Sequence, residues 1–383
     1  MNNLPQHKKY FCYEIYKNIS VWSSNNNVNY TPCSLFSGSI KTTDEVDLLT
    51  TWNSPEHIEL KNNIDNNIPI KGCSVCYDME ENGLESRRMG ASKLYTDYHH
   101  SADVNNTRPT GIDYSVGNLC NLKCMICNPG NSTSWISDYT KMYPHKSVDE
   151  FKFDKNENKI LENTDMLVDI KNVHFHGGGE PLLSNFHVSL LEKIKQVKGL
   201  SDVRVFYNTN GTQRVSDDIL KLWEECKLIE IYFSIDDVGE RFNYQRTGAV
   251  WDTVTSNIQW YSKNMPHNHL FNINCVWSYL NLYYLDELYE WYLDNFSYNR
   301  YNDTTNFILQ RAMGEFDVVG LNAEIKAMLL DKFKKHNNLI DVVNSIKTNN
   351  ITQHDVFWNY VNKIDKIRKT SFKNICPEWA SLL

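Results

Sequence analysis

From Gly111 onward the chain alternates short β-prone apolar runs with longer amphipathic ones, and this alternation restricts the fold more than any other feature. Candidate strands cover Ile112–Val116, Val173–His176, Val203–Asn208, Ile229–Ile235, Leu270–Trp277 and Phe307–Leu309. Helical stretches fall between them at Ser132–Met142, Phe186–Val197, Asp217–Cys226, Trp251–Lys263 and Leu282–Phe296. Repeated β-α units predict a parallel sheet with right-handed crossovers. Six such units suit a partial (β/α)6 barrel better than an open doubly wound sheet, a choice that the sequence alone leaves open. The tail from Asn322 onward reads as helical. Hydrophobic residues make up 41% of the 383, enough for a packed core.

A net charge of −8 argues against a general nucleic-acid or anionic-membrane surface. The N-terminus has no apolar core of a signal peptide, and no run approaches the about 18 apolar residues of a membrane span. A soluble, cytoplasmic protein is therefore expected. In that setting ten cysteines are more readily thiols or metal ligands than disulfides.

Three of them, Cys120, Cys124 and Cys127, lie in Gly117-Asn118-Leu119-Cys120-Asn121-Leu122-Lys123-Cys124-Met125-Ile126-Cys127, just after the first strand of the alternating region. A disulfide cannot use all three, and structural zinc wants a fourth ligand that is not nearby in sequence. A metal cluster needing three thiolates, with one iron left open, uses the spacing directly. In parallel β/α folds active sites gather at the carboxyl ends of strands. The next strand ends in His176-Gly177-Gly178-Gly179-Glu180-Pro181, where glycines permit close backbone approach and a carboxylate can receive an ammonium group. Asn208-Thr209-Asn210-Gly211-Thr212 follows the third strand. Ser234-Ile235-Asp236 follows the fourth, with Arg241 to Gly248 beyond it. Taken alone, Asn210 fits a left-handed turn residue as well as a cofactor contact, and Ser234 and Asp236 fit a cap or turn.

In this order, the C-x3-C-x2-C loop, the Gly-Gly-Glu-Pro strand end, the Thr-Asn-Gly-Thr turn and the Ser-x-Asp strand end with its Arg-x-Gly resemble the radical S-adenosylmethionine (radical SAM) superfamily, over about residues 110–315. The resemblance implies a [4Fe–4S] cluster on Cys120, Cys124 and Cys127, its open iron chelated by SAM. It places the SAM amino group at Gly178, Gly179 and Glu180, the ribose at Ser234 and Asp236, the carboxylate at Arg246, and Asn210 facing the cofactor. It also implies a one-electron donor such as flavodoxin or ferredoxin. One departure is Ile126, at a position often aromatic in the family.

Residues 1–100 form a separate compositional unit, joined by a polar connection from about Ser101 to Pro109. Phe11–Tyr16, Ile19–Trp22 and Val28–Phe36 read as strands around a turn at Asn25-Asn26-Asn27. Ser54 and Pro55 read as the cap and first residue of a helix. Cys12, Cys33, Cys73 and Cys76 make a complete tetrahedral set. The run from Trp52-Asn53-Ser54-Pro55 to Gly72-Cys73-Ser74-Val75-Cys76, followed by Glu80, Gly83, Ser86 and Arg87, resembles the SPASM/twitch domains that bind auxiliary [4Fe–4S] clusters, although here it precedes the core. An auxiliary cluster, zinc and unmetallated thiols remain open for this set. Cys226 and Cys275 read as core thiols, and Cys376 as a packed or surface cysteine, with a late ligand or a radical-chemistry thiol as the alternatives. His174 and His176 share one face of their strand, either lining the barrel interior or satisfied in the core.

The expected architecture is thus α/β. A small N-terminal cysteine-containing α+β module (1–100) precedes a partial (β/α)6 barrel (110–315), and a helical extension (316–383) follows it. The expected activity is SAM-derived radical chemistry on a peptide or protein. Small-molecule oxidation or rearrangement, or a non-catalytic iron–sulfur or zinc protein, are the alternatives.

Overall fold

The structure is a computed structural model that describes residues 9–24, 27–43, 47–81, 83, 86–97, 107–115, 117–151, 161–296, 306–348 and 354–383. The expected turn at Asn25 and Asn26, the connection from Ser101 to Asn106, and Val116 lie outside these residues. Two compact units are present: residues 1–117, 149–207 and 217–229 in the first, and residues 118–148, 208–216 and 230–383 in the second.

The first unit is built on strands β1 (Asn18–Ser24), β2 (Asn27–Thr31), β3 (Lys41–Thr43), β4 (Gly111–Tyr114), β5 (Asn172–Phe175) and all but the last two residues of β6 (Arg204–Thr209), in the order β3-β2-β1-β4-β5-β6. From β1 to β6 the pairings are parallel, while β2 and β3 add antiparallel edges. Ile19 stands opposite Ile112, Ile112 opposite Val173 and Val173 opposite Val205, a row of fully buried side chains. All four residues of β4 are buried, Asp113 among them, so this strand is covered on both faces and its polar side chain is paired with Arg87. The helix Phe186–Lys198 buries Leu190, Leu191 and Ile194, and Gly199 ends it at φ +84°.

Two expectations for the N-terminal segment are corrected. Phe11–Tyr16 is not a strand: Tyr13–Lys17 is a helix buried on every side, and a short apolar run does not distinguish that from a buried strand. The strand expected over Val28–Phe36 stops at Thr31, because Pro32 offers no N–H and Phe36 N closes a turn onto Cys33 O (3.2 Å). The Ser54 cap is present, accepting from His57 N at 3.3 Å ahead of the helix Pro55–Asp65.

In the second unit β7 (Leu228–Ser234, from Glu230 onward), β8 (His269–Trp277) and β9 (Asn306–Arg311) lie in that order, with β8 and β9 parallel. Along β7 the residues Ile229, Ile231 and Phe233 are buried while Glu230, Tyr232 and Ser234 are half-buried. The C-terminal region is helical, at Ala323–Lys332, Asn337–Ser345, His354–Arg368, Phe372–Ile375 and Pro377–Ala380. Asn322 caps the first of these onto Ile325 N (2.8 Å). Tyr283 stacks on Trp379 at 5.9 Å, so this tyrosine serves packing. Among the described residues no helix is long and apolar enough to cross a membrane.

Candidate active site

Residues 118–135 fold back on themselves around the three thiols. Ser134 Oγ donates to Cys120 O (2.8 Å), Trp135 Nε1 donates to Cys124 O (2.7 Å), and Thr133 N donates to Asn118 O (2.7 Å). A second strut comes from the segment after β7: Lys123 N donates to Thr247 O (2.9 Å) and Met125 N to Gln245 O (2.7 Å). Gly248, at φ +105°, lies so close that a Cβ would stand 3.2 Å from both Asn121 O and Leu122 Cδ2. The Arg-x-Gly run is therefore packed directly against the cysteine loop.

Donors also reach the sulfurs themselves. Leu122 N lies 3.4 Å from Cys120 Sγ, Asn210 Nδ2 3.9 Å from the same sulfur, and Arg246 Nη1 4.0 Å from Cys124 Sγ. Asn210 is not itself left-handed: Gly211 takes that conformation at φ +73°. The Asn210 carboxamide oxygen accepts from Thr212 N (2.9 Å), while its amide also donates to Asn121 Oδ1 (3.0 Å). It makes a local turn and faces the cysteine loop at once.

Arg246 is buried against Asp236, with Nη2 2.8 Å from Oδ2, and the other carboxylate oxygen accepts from Val276 N (2.9 Å). Its Nε is buried and has no hydrogen-bond partner among the described residues. Asp236 thus orients a buried cation that retains a donor. Ser234, the last residue of β7, is half-buried.

Burial pushes the Cys124 thiol up to about 11 despite the pull of the Arg246 guanidinium, and Cys120 and Asp236 add to the rise. Burial likewise takes Cys127 up to about 12, with further contributions from Cys124 and Cys120. Coordination removes that cost, because a metal-bound thiol is deprotonated outright. Among the described residues no three His, Cys, Asp or Glu side chains are grouped as for a single metal ion. A cubane cluster takes its thiolates on separate irons instead. Three soft thiol donors, donors aimed at two of the sulfurs, and an orphaned buried guanidinium N–H fit a cluster with a charged ligand.

In the first unit the strand end after β5 turns through three successive left-handed glycines, Gly177 (φ +59°), Gly178 (φ +59°) and Gly179 (φ +85°). A Cβ on Gly178 would stand 2.4 Å from Ser115 Oγ and 2.5 Å from Gly117 O, so no side chain fits. Glu180 is buried and accepts from Leu182 N (3.3 Å), which starts the short 3-10 turn Pro181–Leu183.

Cys12, Cys33, Cys73 and Cys76 line one cavity in this unit. Burial lifts Cys12 well above its usual range, and Cys33 and Cys73 both raise it further. Gly72, beside Cys73, packs under the Phe36 ring, where a Cβ would stand 2.4 Å from the ring tip and displace it. Glu80 pairs with Arg88, whose Nη1 donates to Lys9 O (2.7 Å) and Phe11 O (3.0 Å) just before Cys12.

Arg87, which also lines the cavity, sits 3.1 Å from Glu14 and 2.5 Å from Asp113. Asp113 in turn lies 3.4 Å from His174 Nδ1 and 3.2 Å from His176 Nε2. The two histidines therefore share one carboxylate. Burial lowers His174 to about 3 even so. This network was missed in the sequence, although a lone aspartate in an apolar strand was its signal. Cys226, Cys275 and Cys376 are buried, as core or packed thiols are.

Residues 114–288 match the radical SAM superfamily. This segment runs from the strand before the cysteine loop past β8. Local sequence similarity links the chain to the GTP 3',8-cyclase of Thermodesulfovibrio yellowstonii, 30% identical over 104 residues, covering 26% of this chain and 28% of the cyclase. The chain thus spans little more than a quarter of that curated relative. Among solved structures, anSMEcpe with bound AdoMet is similar over 63% of each chain at 18% identity and TM-score 0.41. Streptococcus suis SuiB bound to precursor peptide SuiA is similar over 92% of this chain and 79% of SuiB, at 12% identity and TM-score 0.37. A radical SAM segment implies a [4Fe–4S] cluster and S-adenosylmethionine.

Proposed function

We propose that the protein is a radical SAM enzyme in which Cys120, Cys124 and Cys127 hold the catalytic [4Fe–4S] cluster. The observation that carries this reading is the bonding of the three-thiol loop to Gln245–Gly248, which holds Arg246 beside Cys124. When bound, the cluster and SAM supply reductive cleavage to methionine and a 5'-deoxyadenosyl radical that abstracts hydrogen from substrate. Arg246, oriented by Asp236, offers its unpartnered Nε to the SAM carboxylate. Asn210 and Leu122 N stabilise the Cys120 thiolate. In the first unit Gly178 and Gly179 leave the strand end free of side chains and Glu180 would receive an ammonium group; in the second, Ser234 and Asp236 would serve a ribose.

Cys12, Cys33, Cys73 and Cys76 hold an auxiliary cluster in this reading, and the cavity they share supports it. A module of that kind resembles those of peptide-modifying enzymes, so a peptide or protein is the first substrate class. A one-electron donor of the flavodoxin or ferredoxin class would supply the electron. The local match to a GTP 3',8-cyclase favours a small-molecule substrate as the second reading.

Anaerobic reconstitution with iron and sulfide, reduction and addition of SAM test the reading. A coloured protein that forms 5'-deoxyadenosine above a Cys124→Ala control supports it. No nucleoside above that control overturns it.

A further inference from the structure

We infer that Arg368, from the C-terminal helical region, is a positioning residue for the cysteine loop and raises the reduction potential of the cluster held there. The inference rests on the cluster assignment just proposed.

Arg368 ends the helix His354–Arg368, and its side chain is 2% exposed. Its Nε lies 2.8 Å from Asp138 Oδ2, itself 1% exposed. Nη1 donates to Thr247 Oγ1 at 3.0 Å and lies 3.2 Å from Met125 Sδ. The guanidinium also sits over the Trp135 ring, 4.7 Å from its centroid. Each of these partners belongs to the frame of the cysteine loop. Met125 lies between Cys124 and Cys127 and is fully buried. Trp135 bonds Cys124 O, Asp138 also receives Lys123 Nζ (3.0 Å), and Thr247 O receives Lys123 N (2.9 Å). Lys123, Cys124 and Met125 are thus each tied into one assembly whose centre is Arg368.

An exposed arginine–aspartate pair would have little effect, since water and salt screen it. This pair is buried, so its charges act on their surroundings at low effective dielectric. Arg368 and Lys123 carry two positive charges against the single negative charge of Asp138. The assembly is net positive beside thiolates whose cluster gains an electron on reduction. Cluster potentials are set in part by such net charge and by hydrogen bonding around the sulfurs. The fork geometry positions the loop, and the charge favours the reduced form.

The two roles separate experimentally in reconstituted full-length protein, with iron counted and the midpoint read by a redox titration followed by electron paramagnetic resonance. Arg368→Gln loses both roles, so iron occupancy falls and the reduction equilibrium shifts about tenfold toward the oxidised form, about 59 mV for one electron. Arg368→Lys keeps the charge without the fork, so occupancy falls while the midpoint stays near that of the parent. Asp138→Asn leaves the cations less compensated and moves the midpoint upward. A residue that only holds the fold would not move two midpoints in opposite directions. Should Arg368→Gln not fold, the lysine and Asp138→Asn variants carry the test. A parent protein that binds no iron overturns the cluster assignment and this inference together. A parent with a cluster, and variants whose midpoints are unchanged or fall alike, overturns this inference alone.

Discussion

Alanine at Gly178 is the substitution whose consequences the geometry defines most closely. Gly178 sits at φ +59°, where a residue with a Cβ is strained by roughly 1–2 kcal/mol. Its Cβ would also stand 2.4 Å from Ser115 Oγ and 2.5 Å from Gly117 O. The serine hydroxyl could rotate away only by giving up its bond to Gly177 O (3.0 Å), and the Gly117 carbonyl is backbone. Relief of that overlap adds about 1–3 kcal/mol. Gly177 supplies the control, because it has the same φ of +59° yet nothing within 4 Å of its Cβ position. Urea unfolding of Gly177→Ala and Gly178→Ala should therefore differ by the steric contribution alone, with Gly178→Ala the less stable by about 1–3 kcal/mol. In the same preparations Gly178→Ala should lose most 5'-deoxyadenosine formation, because relief of the clash displaces the backbone at the strand end. Equal midpoints for the two variants would refute the steric argument. An equally active Gly178→Ala would refute the placement of SAM there.

Three further perturbations have defined directions. Cys73→Ala should reduce reconstituted iron from about eight to about four atoms per chain by colorimetric assay, as loss of one of two [4Fe–4S] centres requires. Asp236→Ala leaves Arg246 buried without its carboxylate, at a cost of about 3–5 kcal/mol in a denaturant titration, and should raise the SAM concentration needed for half-maximal cleavage. His187, buried beside Tyr207 Oη (3.0 Å), is lowered by burial from 6.5 to about 4, so the unfolded chain takes up its proton first. Stability is then lost as pH falls from 6.5 toward 4, by about 2 kcal/mol at pH 5 relative to pH 7.5, and His187→Gln should lose that much less over the same interval.

The β/α succession was legible because short β-prone runs alternate with longer amphipathic ones, and every expected strand from Ile112 onward has its counterpart in β4 to β9. Their ends shift by a residue or two, as hydrogen-bond patterns do. Tyr13–Lys17 failed because complete burial erases the periodicity that separates helix from strand. The position of β1 beside β4 was hidden, because it depends on a pairing between residues far apart in the chain. The Glu14–Arg87–Asp113 network and the clamp of Arg368 on Met125 are likewise non-local. The three-thiol loop and the triple glycine, by contrast, are local patterns whose spacing is the geometry.

The run Gln245–Gly248 shows how one short motif can be doubly determined. Read as ligand chemistry, only Arg246 matters, and the glycine two residues on is incidental. In the folded chain Gln245 O and Thr247 O each accept a bond from the cysteine loop, and Gly248 has room for no side chain without pressing on Asn121 and Leu122. The glycine serves the loop, and the arginine projects from the same splint toward Cys124. Any movement of the loop therefore moves the cation with it. This coupling explains why the arginine and the cysteines need no contact through solvent-exposed side chains to keep their spacing. It also sets the order of sensitivity: a bulky residue at Gly248 should disturb iron binding and SAM cleavage together, whereas Arg246→Gln, which keeps the splint, should leave more of the iron in place and weaken SAM cleavage alone.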